Sequence, residues 1–197
     1  MESKVKFSEN VIIVDAGFLQ ATVSGLRTFF ENNLGRALPL LDLPSWLSYV
    51  ALDAGLREGD NEIQVLLVHD EATRNLSCCT PSVLADFDGK ACRTPLGEFV
   101  FANVTSAGLA KTSDLFVDLL HLAIDSNDVK RMVLVPTMGE AVHVQHVLNE
   151  LDGEKGADVL GKAWLFSMEK PTLNAAYHSD FVTYSLAHAL GIRSEEL

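Results

Sequence analysis

The sequence predicts an α/β fold, a three-layer sandwich whose helices cover both faces of a mostly parallel, five- to six-stranded sheet. Three observations lead there. Short apolar runs without a polar break recur, the first at Val11, Ile12, Ile13 and Val14, and such runs mark strands buried on both faces. Segments of helical period lie between most of these runs, and helical crossovers join parallel strands. No internal repeat or low-complexity linker divides the 197 residues, a length suited to one domain over residues 1–197.

The organising stretch is residues 11–19, VIIVDAGFL, with Asp15 at the carboxyl end of the first strand. Functional groups of open α/β sheets gather at such ends. Residues 20–33 read as a helix through Leu26, Phe29, Phe30 and Leu34, with Gly35 as its stop. Pro44 opens a second helix that carries Trp46, Val50 and Leu56, and residues 58–61 form a turn. Residues 63–69 are the second strand. Residues 70–97 read as irregular, either a functional loop or a holder of short elements. Residues 98–104, EFVFANV, are the third strand, with Phe99 and Phe101 on one face as core, as a platform for bases, or as a subunit interface. Residues 111–124 are the clearest helix, with Ser113 as N-cap and an apolar stripe of Leu115, Leu119 and Leu122. Residues 131–136 are the fourth strand and 139–151 a helix. After the loop 152–156, residues 163–168 are the fifth strand and 179–190 the last helix.

Composition narrows the function. Fifteen Lys and Arg against 27 Asp and Glu give a net charge of −12, which disfavours RNA or any other nucleic acid as a non-specific partner. The apolar runs are too short to span a bilayer, and the opening MESKVKFSEN has no apolar leader. The expectation is a cytoplasmic chain without membrane contact. Cys78, Cys79 and Cys92 are odd in number and lack a second pair at metal-ligand spacing, so they read as structural thiols.

Carboxylates carry the chemical argument. Asp15 ends strand one, Asp114 and Asp118 lie four apart on one helix, and Glu140 follows strand four. In a parallel sheet these positions share one edge. Carboxylates brought together repel unless a cation sits between them, and Mg2+ or Mn2+ suits all-oxygen ligands and can activate water against a phosphodiester. Each acid also has a plainer reading: a turn or cap for Asp15, first-turn acids for Asp114 and Glu140, a solvated surface position for Asp118. Phosphate loops of the GxGxxG or GKS type, a HExxH pattern and a GxSxG elbow are all missing, and His143 and His146 are a lone helical pair.

The succession VIIVDAGFL, KTSDLFVDLLHLAI, RMVLVPTMGEAVHVQHVL, AWLFSM and HSDFVTYSLAHAL resembles the NYN branch of the PIN-like nuclease superfamily. The resemblance implies a Rossmann-like sheet and a Mg2+-dependent ribonuclease site. It aligns Asp15 with the family's first acid, Lys111 and Asp114 with its helix start, and Asp180 and Phe181 with its last helix. Asp15, Asp114, Asp118 and Glu140 would then be the catalytic, metal-holding acids, and Lys111 would meet a phosphate. Three positions depart from the pattern. Phe18 stands where an Asn is expected, Pro136 to Glu140 replaces a Ser-Gly-Asp-x-Asp turn, and the helix acids are more closely spaced. The expectation is therefore either a degenerate metal-dependent ribonuclease or a catalytically silent PIN-like domain that binds a protein partner or forms a homo-oligomer. A small-molecule-binding α/β domain is the third alternative.

Overall fold

Why the first apolar run has no polar break is visible in its two faces. Strand β1 (Asn10–Asp15) is buried from Val11 onward. Alternate side chains of a strand point to opposite faces. Ile12 and Val14 enter one hydrophobic core, while Val11 and Ile13 enter the other. In this computed structural model, which describes residues 6–170 and 176–197, β1 is the middle strand of the principal sheet.

That sheet has seven strands. Its other members are β3 (Asn61–Val68), β5 (Ala91–Thr94), β6 (Gly97–Val104), β7 (Arg131–Val135), β8 (Ala163–Ser167) and β9 (His178–Phe181). A two-residue pair, β2 (Leu41–Asp42) with β4 (Cys79–Thr80), stands apart. The principal order is β5-β6-β3-β1-β7-β8-β9, parallel throughout except for β5 against β6. Counting parallel strands in chain order gives 3-2-1-4-5-6, the doubly wound arrangement. The register sets Val14 beside Leu67 on one side and Val135 on the other.

The two strands beyond the expected count arise where apolar patterning is weak. β5 lies within the segment read as irregular, with Ala91 and Arg93 exposed. β9 replaces the start of the expected last helix, and its His178 and Asp180 are exposed. Polar edge strands bury too little to announce themselves, and that polarity protects an exposed edge. Asp180 and Phe181 are thus on a strand and do not begin a helix.

Helices form the outer layers. On one face lie α1 (Ala16–Phe18), a π-helical turn at Leu19–Val23, α2 (Ser24–Leu34), α3 (Leu43–Asp53) and α7 (Thr183–Ala189). On the other lie α4 (Thr112–Asp125), α5 (Ala141–Lys155) and α6 (Ala157–Leu160). The first helical stretch starts directly after β1 rather than at residue 20, and it ends at Gly35 as expected. α5 runs through most of the expected loop 152–156 and stops at Gly156.

On α4 the buried face is Phe116, Leu120, Ala123 and Ile124, one position on from the expected leucine stripe, and Leu122 is 48% exposed. Both stripes keep helical period, so period alone could not choose between them. Lys111 occupies the N-cap without a side-chain bond, in place of Ser113. α3 is properly capped. Its N-cap Asp42 accepts a hydrogen bond from Ser45 N at 2.9 Å, with Pro44 in the first turn. Asp42→Ala is expected to cost about 1 kcal/mol of unfolding free energy, measured by urea denaturation. Phe99 and Phe101 are buried in the core, which rules out the base-stacking platform and the subunit face for them.

Candidate functional site at the strand switch point

β1 and β7 lie side by side, yet the chain reaches β7 only after building β3 and β6 on the opposite flank of β1. Crevices open at such reversals, beyond the carboxyl ends of the strands. Asp15 terminates β1 at this point. It is 3% exposed, and its Oδ1 accepts a hydrogen bond from Gly17 N at 2.8 Å, capping the helix that follows. The cap and the strand-end acid are therefore one residue in both roles.

Burial dominates the Asp15 carboxyl and holds it up at about 6, against a usual 3.8. The Gly17 amide pulls it down, and the charges of Asp70 and Glu140 push it further up. Asp70 follows β3 and is exposed. Its carboxylate accepts from Thr73 N and Thr73 Oγ1, both at 2.9 Å, and the hydroxyl bond leads in holding its acidity below the ordinary range. Glu140 closes a 3-10 turn at Met138–Glu140 after β7 and is half-buried.

The walls around Asp15 are tight. A Cβ on Gly17 would stand 3.0 Å from Asp15 Oδ1 and 3.1 Å from Thr137 Cγ2. Phe18, where the resemblance would put an Asn, is 1% exposed and stacks on Trp46 at a centroid distance of 6.4 Å. That side chain belongs to the core. The π-helical turn at Leu19–Val23 comes next, and π-turns inside helices are frequent at functional sites.

Of the expected site residues, Asp15 and Glu140 are brought within electrostatic reach of each other. Asp114, Asp118 and Lys111 are exposed on or just before α4, and neither aspartate is among the charges acting on Asp15. Asp70 is the acid that sequence reading missed. The signal was present, since Asp70 follows the second strand as Asp15 ends the first. Among the described residues no three or more His, Cys, Asp or Glu side chains are grouped as a bound metal ion would need. That includes His143 and His146, both exposed on α5. Three large apolar side chains stand exposed on this edge: Leu109 at 92%, Met138 at 54% and Val142 at 48%. Among the described residues no helix is long and apolar enough to cross a membrane.

Fold and site together define a doubly wound, mostly parallel α/β domain with a buried acid at its switch point. Within that class, the chain belongs to DUF6621, a family of unknown function whose model matches residues 4–197. No curated protein and no solved structure matches it.

Proposed function

We propose that this chain is a PIN-like α/β domain without metal-dependent chemistry, whose strand-end edge docks a protein partner. The observation that carries the reading is the donor set around Asp15. Its Oδ1 is already engaged by Gly17 N, and no grouping of ligating side chains suited to a divalent cation occurs among the described residues. Mg2+ and Mn2+ take oxygen ligands that converge on one point, and this donor set supports a reading without either ion. Leu109, Met138 and Val142 offer apolar contact on the same edge, as the centres of protein interfaces do. The charge of −12 favours a basic protein surface over RNA.

A second reading, a weak Mg2+-dependent ribonuclease, draws on the repulsion of Asp15 by Asp70 and Glu140, which a cation would relieve. Calorimetry with millimolar Mn2+ and a single-stranded RNA cleavage assay separate the two. The expected result is no saturable heat and no cleavage. Saturable binding by the wild type that disappears in Asp15→Asn, with RNA cut in parallel, would overturn the docking reading. Light scattering adds the partner's kind: a dimer abolished by Met138→Asp would make the partner a second copy.

A further inference from the structure

Far from the acids in sequence, but against the same first helix, lie two adjacent buried thiols. Cys78 is 2% exposed and Cys79 is fully buried. Their Sγ atoms are 3.6 Å apart, and neither is bonded to another cysteine. The Cys78 thiol donates to Leu19 O at 3.4 Å, a carbonyl at the start of the π-helical turn. Gln20 lies over this thiol: its Oε1 is 3.9 Å from the Cys78 sulfur, and its Nε2 donates to the exposed Ser77 Oγ at 3.4 Å.

We infer that Cys78 and Cys79 are a redox modification site, closing to a reversible vicinal disulfide under a small hydroperoxide. The two sulfurs are unequal, as such chemistry requires. The Cys79 thiol beside it leads in drawing Cys78 below the ordinary thiol range, with Ser24 and the Arg27 charge assisting, whereas that same contact and burial push Cys79 up. The thiolate is the nucleophile, so Cys78 attacks. Its sulfur takes the terminal peroxide oxygen as the O–O bond breaks, leaving a sulfenic acid and the peroxide's other oxygen as an alkoxide (hydroxide for hydrogen peroxide), which takes up the proton that Cys78 gave up and leaves as the alcohol or water. The Cys79 sulfur then attacks the Cys78 sulfur. The S–S bond forms, the S–O bond breaks, and the departing oxygen leaves as water with the Cys79 proton. Two thiols and one hydroperoxide thus give one disulfide, water and the reduced peroxide.

Geometry sets the character of the bond. The sulfurs must approach by about 1.5 Å to reach bonding distance. Neighbouring Cα atoms are about 3.8 Å apart across a trans peptide, shorter than the roughly 4.4 Å at which the usual disulfide range begins, so the closed form is strained and easily reduced. Closure also takes from Leu19 O its S–H donor, which ties the redox state to the helix that Asp15 caps.

The test uses the full chain and hydrogen peroxide, followed by acid quenching, unfolding, alkylation and mass spectrometry. Alkylatable thiols are expected to fall from three to one, with Cys92 still labelled. The peptide holding Cys78 and Cys79 should lose two hydrogens, and dithiothreitol should restore it. In Cys79→Ser the sulfenic acid of Cys78 should persist and react with dimedone. Three labelled thiols after peroxide, sulfinic acid on Cys78 without a disulfide, or a bond only between chains would overturn the inference. None of these readouts depends on metal binding or on a docked partner.

Discussion

Gly97→Ala is expected to destabilise the fold by about 4 kcal/mol, or to prevent folding altogether. Gly97 begins β6 in the parallel pair with β3, opposite Asn61. Its φ is +134°, and a Cβ there would stand 2.1 Å from Asn61 O and 2.8 Å from both Asn61 C and N. Backbone cannot swing away as a side chain can. Relief would have to separate β6 from β3, and that join is also tied by Asn61 Nδ2 donating to Leu96 O at 2.6 Å. The control is Gly89→Ala, where φ is +68° and nothing lies within 4 Å of the added carbon. Only backbone strain acts there, so it should cost about 1 kcal/mol. Urea denaturation of both variants checks the contrast. Equal losses would mean that the Asn61 contact relaxes at little cost.

Strands buried on both faces, β1, β3 and β7, announce themselves as unbroken apolar runs because both cores draw on them. β5 and β9 do not, because half of each faces solvent. Helix existence was readable, but the rotation of α4 was not. Its leucines and its Phe116 face share the same period, and tertiary packing chose the second. The 70–97 segment holds β4, whose partner Leu41 is remote in sequence and so invisible to local patterning, and β5, a half-exposed strand in a tight hairpin with β6. At the site, Asp15 was legible from its place at the strand end. The fate of Phe18 was not, since only the Trp46 contact shows it to be core. Asp114 and Asp118 share a helix face as expected, but α4 leaves that face in solvent.

Asp15→Asn should make the protein more stable at pH 8 by up to about 3 kcal/mol while changing little at pH 4. The sign follows from proton binding. The Asp15 carboxyl ionises near 6 in the fold, mainly because it is buried, and near its usual 3.8 when unfolded. Between those values the folded state keeps a proton that the unfolded state has lost, so raising the pH favours unfolding. The cost is absent below about pH 4 and complete above about pH 6. An Asn side-chain oxygen can accept the same Gly17 hydrogen bond, so the helix cap survives while the buried charge and its repulsion by Asp70 and Glu140 disappear. Denaturation of wild type and variant from pH 4 to pH 8 should give curves that meet at the acid end and diverge above it. Parallel curves, or a variant less stable at every pH, would show that Asp15 is not held up by its surroundings. A divergent pair would carry a functional meaning as well. An acid that lowers stability at neutral pH, placed at the switch point of a doubly wound sheet, is a residue whose charge serves something other than the fold.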